Sequence, residues 1–120
     1  MAAEPVDLAA ARRWVGGDRA LLLELVGIFV SEASPRMGEL RDALATQNAK
    51  ELERVAHSLK GSASILGASG LRQHCAELEL AAAAKRFEVA PDLLVRIDAE
   101  LGRVVAFFRD PAWQSRAGEP

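Results

Sequence analysis

The 120-residue chain has one cysteine, Cys75, two histidines, no tyrosine and only six aromatic residues. A lone cysteine excludes an internal disulfide and any Cys-rich metal knuckle, and it fits a reducing compartment. Few aromatics, and no run alternating apolar and polar residues, argue against strands. No apolar stretch approaches the roughly 18 residues a membrane span needs. The N-terminus, MAAEPVDLAAARRW, has no basic start followed by an apolar run, so it is not a secretory signal. Nor is there an excess of one charge: 15 Lys and Arg face 17 Asp and Glu, a formal net charge of −2. Nothing electrostatic therefore points to nucleic acid as the main partner. Half the residues are apolar, so the chain is not a disordered acidic or basic tail, which leaves a small soluble, cytoplasmic domain with one core.

What is present is helical spacing almost throughout. Asp7 can cap a short first helix with an apolar side of Leu8, Ala11, Val15 and Trp14, ended by Gly16 and Gly17. Asp18 caps a long helix whose stripe reads Leu22, Leu25, Phe29, Ala33, Met37, Leu40 and Leu44. Pro35 falls inside it, and because the period resumes in phase we expect one kinked helix. Asn48 and Glu51 suit the start of a third helix carrying Leu52, Val55, Ala56, Leu59, Ala63 and Leu66, stopped by Gly67. Ser69 is the expected cap of a fourth, with Leu71, Cys75, Leu78 and Ala82 inward and Lys85 and Arg86 at its end. Pro91 sits in the first turn of the last, which buries Leu94, Ile97, Leu101, Val104, Val105 and Phe108. Short links make neighbours antiparallel. The expected fold is all-α: an up-down antiparallel four-helix bundle with a short additional N-terminal helix. It occupies residues 1–110. Residues 111–120 are expected to form a flexible tail, from which Trp113 could tuck back onto the bundle.

The third helix carries the anomaly. On a helical wheel its core residues share one sector, and His57 points about 150° away from the centre of that sector, toward water. Gly61 follows one turn later. A mid-helix glycine costs about 1 kcal/mol relative to alanine, and an exposed one has no packing reason to be there. Its missing side chain, with the small Ser64 beyond, leaves the imidazole on a bare face with the Lys60 ammonium beside it. That layout suits a nucleophile which another protein must approach closely. Any one of these residues alone reads as an ordinary solvated surface position; together they do not.

The run Ala56-His57-Ser58-Leu59-Lys60-Gly61-Ser62-Ala63-Ser64-Ile65-Leu66-Gly67-Ala68 closely resembles the signature of histidine phosphotransfer (HPt) domains. Gly16-Gly17-Asp18 and the Ser34-Pro35 step are similar to the same family, so the resemblance extends over roughly residues 6–108. It implies that His57 accepts a phosphoryl group, that Lys60 helps hold its oxygens and that Gly61 leaves room for the partner. Glu79, in the fourth helix, matches the Gln or Glu that orients the imidazole through its other nitrogen. Arg86 is a weaker candidate for assisting the phosphoryl group. The implied partners are response-regulator receiver domains or a hybrid sensor histidine kinase of a bacterial phosphorelay. Mg²⁺ would sit on the receiver, and this chain would hold no cofactor or metal of its own. The protein would be a monomeric phosphoryl carrier rather than an enzyme. Neither a GxxxxGK[ST] loop nor a kinase Gly-rich loop is present to bind a nucleotide.

Other classes fit less well. A sensor-kinase dimerisation helix wants an acidic residue after the histidine and a proline four or five residues on, where Ser58 and Gly61-Ser62 stand. A metal site from His57, His74, Cys75 and Glu79 lacks ligand spacing, since His74 and Cys75 diverge by about 100° on a helix. His74 reads as structural or solvated, and Cys75 as a small core residue. No GxSxG is available for a serine hydrolase. The remaining alternative is a degenerate HPt-like scaffold that binds partners without being phosphorylated. The initiating Met and the closing Gly-Glu-Pro suit a free-standing protein. Abundant Ala, with Arg far exceeding Lys, suits a GC-rich bacterial source.

Overall fold

The computed structural model describes residues 4–116. Six helices follow one another: α1 (Leu8–Trp14), α2 (Arg19–Ala45), α3 (Ala49–Ile65), α4 (Ser69–Ala83), α5 (Ala90–Arg109) and α6 (Ala112–Arg116). Helices α2 to α5 form the antiparallel four-helix bundle. Direction is fixed by cross-helix pairs. His57 meets Glu79 and Ser64 meets Arg72 between α3 and α4, while Phe29 meets Phe108 and Arg41 meets Asp98 between α2 and α5.

Local chemistry explains most boundaries. The carboxylates of Asp7 and Asp18 and the Asn48 amide oxygen accept the N–H of the residue three positions on, capping α1, α2 and α3. Gly16, Gly17 and Gly67 take the left-handed backbone that ends a helix. Gly67 has a further constraint. Its carbonyl accepts the Asp7 N–H at 2.8 Å, and a Cβ there would collide with the Asp7 carbonyl, so only glycine lets the N-terminal segment dock on α3. Two residues that are not glycine, Gln47 after α2 and Lys85 after α4, also take positive φ, 50° and 56°. Each conformation costs about 1 kcal/mol relative to glycine.

The α3 stripe is buried as expected, from Leu52 through Leu66. In α2, one continuous helix through Pro35, the buried set is Leu22, Val26, Phe29, Ala33, Met37, Leu40 and Ala43. Leu25 and Leu44, expected inside, are only partly buried. The contact seam recurs at about 3.5 residues, as in supercoiled bundles, and moves one position off the 3.6 wheel at each end. Val105 is likewise partly buried, and Leu93 is inside instead.

Three expectations are corrected. Trp14 does not belong to the inner side of α1; it is 62 % exposed while Leu8 and Ala11 are buried. Ser69 does not cap α4. Ala68 holds that position with no side-chain bond, and the Glu100 carboxylate from α5 lies over Gly70 in the first turn, where the helix dipole favours an anion. Residues 112–116 are not a loose tail. Asp110 accepts the Ala112 N–H, Trp113 is 3 % exposed against Phe108, and its indole N–H donates to the Phe108 carbonyl at 2.8 Å. Arg116 closes the turn with a bidentate pair to Glu4. The rest of the expected tail, residues 117–120, lies outside the described residues.

Candidate functional site

Burial of the α3 stripe leaves the opposite face of that helix to solvent, and His57 stands on it with its side chain 68 % exposed. Antiparallel packing brings Glu79 of α4 alongside. Glu79 Oε2 lies 2.8 Å from His57 Nδ1, and Oε1 lies 2.6 Å from Lys60 Nζ. One carboxylate thus holds both neighbours, one through each oxygen. Its own side chain is only 20 % exposed.

The Lys60 ammonium, above all, holds the Glu79 carboxyl below its ordinary value; partial burial opposes this, and the His57 hydrogen bond adds to it. An ionised carboxylate can only accept, so Nδ1 must carry the ring proton. In the neutral imidazole that leaves the lone pair on Nε2. Because the Glu79 value is lowered on folding, the pair's stabilisation is fully present above the ordinary value near 4.5 and fades as the pH falls through the lowered one. Melting profiles should therefore show the parent's advantage over Glu79→Gln constant through neutral pH and shrinking below about pH 4.5.

Gly61 is exposed, and a Cβ built on it meets nothing within 4 Å. Its role is therefore not to admit a neighbouring helix. Ser64 continues the bare strip. Its hydroxyl donates to the Lys60 carbonyl at 3.0 Å and accepts from Arg72 Nε at 3.1 Å.

The structure brings together His57, Lys60, Gly61 and Glu79. It does not bring Arg86 to them. Arg86 follows the end of α4, pairs with Glu88 at 3.4 Å and lines the α4–α5 groove. The Lys60–Glu79 ion pair was not read from the sequence. Its only sequence signal is the placement of Lys60 on the His57 side of α3, facing the flank of α4 that carries Glu79.

Cys75 is buried in the core, where desolvation first, and then the Glu79 charge, push its thiol up to about 12. It is not a nucleophile at neutral pH. His74 is half-buried, with Nδ1 lacking a hydrogen-bond partner. No group of three or more His, Cys, Asp or Glu side chains among the described residues could hold a metal.

Comparison with known proteins agrees with this geometry. The family model for the Hpt domain matches residues 24–107. Histidine-containing phosphotransfer protein B from Pseudomonas aeruginosa superposes with a TM-score of 0.84 at 28 % identity, covering 96 % of this chain and 98 % of that one. The HPT domain of a sensor hybrid histidine kinase from Shewanella has a TM-score of 0.81 at 16 % identity, over 92 % and 96 % of the two chains, and shows the shared fold. Part of the chain is 39 % identical over 56 residues to sensor protein TorS of Escherichia coli, a match spanning 47 % of this chain and 6 % of that far longer one. The chain belongs to the Hpt domain family.

Proposed function

We propose that His57 is the phosphoryl acceptor of a multistep phosphorelay. Nε2 attacks the phosphorus of an aspartyl phosphate on a receiver domain. The P–O bond to the aspartate breaks, the N–P bond forms, and the receiver regains a free carboxylate. The same step in reverse hands the group to another receiver. The observation that carries this reading is the shared Glu79 carboxylate beside an exposed imidazole on a bare helix face.

Each residue then has a physical task. Glu79 holds the proton on Nδ1 and stabilises the positive charge that develops on the ring as Nε2 bonds to phosphorus. Lys60 offsets the charge of roughly −1.5 to −2 that arrives with the phosphoryl group. Gly61 and Ser64 keep the approach open. Positioning and charge compensation are most of what phosphoryl transfer requires, so a carrier with no nucleotide site of its own suffices. Mg²⁺ belongs to the receiver in this reading.

A receiver also needs a surface to rest on. An apolar groove between α2 and α3, lined by Leu25, Ile28 and Ile65 and edged by Glu32 and Arg36, lies on the α2-facing side of α3. It suits a modest, transient interface. Among the described residues no helix is long and apolar enough to cross a membrane. A monomeric carrier in the cytoplasm, serving response regulators or a hybrid sensor kinase, is consistent with these features.

The test is transfer from a panel of isolated, phosphorylated receiver domains. Acid-labile, base-stable label on this protein is expected from at least one. No label from any receiver onto the folded protein would favour a scaffold that binds without being phosphorylated. Glu79→Ala should slow transfer by about 10- to 100-fold without unfolding the bundle, as loss of an orienting partner does elsewhere. Unchanged rates would remove its orienting role.

A further inference from the structure

The chain has three lysines and twelve arginines. The arginines are spread over all six helices, yet all three lysines lie on the α3–α4 side that carries His57. Lys60 belongs to the site itself. Lys50 lies seven residues before His57, two turns away on the same face of α3. Lys85 follows the end of α4. Lys50 and Lys85 line one groove of about 500 Å³ together with Gln47, Glu53, Ala83 and Phe87. Glu53, which lines the groove, stands one turn before His57 on α3.

Two observations set the groove apart. Among the described residues, neither the Lys50 nor the Lys85 ammonium has a hydrogen bond or ion pair, whereas that of Lys60 is held by Glu79. Gln47 and Lys85 are also the two described residues other than glycine with left-handed backbone, and both line this groove. Glycine would relieve that strain at either position. Side chains kept in such conformations are expected where they serve an interaction.

We propose that this groove is the electrostatic part of the docking surface, taking an acidic, carboxylate-bearing segment of the receiver domain that exchanges phosphoryl groups with His57. Lys50 and Lys85 are its specificity-determining residues. The inference rests on His57 being the phosphoryl acceptor. A net charge of −2 gives the whole chain no long-range attraction for an acidic partner, so a local cationic end must orient it. An ammonium is a compact, strongly hydrated charge on a flexible stem, suited to contacts that form and release readily. Glu53, between the lysines and the imidazole, disfavours a register that would place the acidic segment over His57 itself.

The test uses the double variant Lys50→Glu, Lys85→Glu and two phosphoryl donors. One is the receiver that labels the parent fastest in the panel. The other is phosphoramidate, which needs no docking surface: its P–N bond breaks, ammonia leaves and His57 Nε2 takes the phosphoryl group. With the receiver, kcat/KM should fall by about tenfold or more, mainly through KM, and the parent's salt dependence should flatten. Loading from phosphoramidate should stay within about twofold, because exposed charges two turns away are screened from the ring. Lys85→Gly should melt higher than the parent yet transfer several-fold more slowly, the pattern of a residue kept for binding at a cost in stability.

Unchanged receiver kinetics and salt dependence in the double variant would overturn the proposal. So would an equal loss with both donors, which would place the lysines' effect on His57 itself. A Lys85→Gly variant that melts higher and transfers at the parental rate would also count against it. If neither donor labels His57 in the parent, the acceptor reading itself fails, an outcome visible before any lysine is changed.

Discussion

Replacing His57 with glutamine should abolish acid-labile phosphorylation from every donor while leaving the bundle folded. The imidazole is exposed, contributes nothing to the core and touches the rest of the chain mainly through Glu79. Glutamine keeps a hydrogen-bonding end but has no nucleophilic nitrogen. The loss should therefore be complete rather than graded, beyond about a thousandfold, as for removal of any covalent acceptor. Circular dichroism and thermal melting should change little, since surface substitutions usually stay within about 0.5 kcal/mol. Residual label on the variant would mean that another side chain accepts the phosphoryl group.

The second large effect is expected at Gly61, and it separates docking from chemistry. Glycine in an exposed helix interior is unfavourable by roughly 0.5–1 kcal/mol relative to alanine. A Cβ at Gly61 has open space around it. Gly61→Gln should therefore keep or raise the melting temperature. Its side chain would nevertheless occupy the surface one turn from Nε2. Transfer needs the reacting atoms within about 3–3.5 Å and aligned, and a misplacement of about 1 Å can cost a hundredfold. A loss of that order is expected with a receiver donor. Phosphoramidate, small enough to reach Nε2 past the new side chain, should still load His57 at close to the parental rate. Full receiver activity in Gly61→Gln would mean that the bare face is not needed.

The α3 face was legible from the sequence because one rule governs it. Leu52, Val55, Ala56, Leu59, Ala63 and Leu66 repeat with the helical period, so His57 and Gly61 had to point away from them. Caps at Asp7, Asp18 and Asn48 were legible for a similar reason, since each side chain bonds within its own first turn. What escaped depends on contacts distant in sequence. Glu100 brings its carboxylate to the positive, N-terminal end of α4 across 30 residues, where a local cap by Ser69 was expected. The order in α6 comes from Trp113 seating against Phe108 and from Arg116 reaching back to Glu4. Lys60 turns toward α4 because Glu79 is there, which no wheel drawn for α3 alone can show. Arg86 failed for the converse reason. It shares a wheel direction with Glu79, but α4 ends at Ala83, and the chain turns away before the arginine can follow.

The most direct measurement is the identity of the phosphorylated nitrogen. Glu79 occupies Nδ1, so the proposed mechanism puts the phosphoryl group on Nε2 of His57. Nitrogen-15 NMR of the phosphorylated protein, correlating each ring nitrogen with its carbon-bound protons and with phosphorus, distinguishes the two. Phosphorus coupled to Nε2, with Nδ1 still protonated and hydrogen-bonded, is the expected result. Phosphorus on Nδ1, or on any residue other than His57, would contradict the central claim.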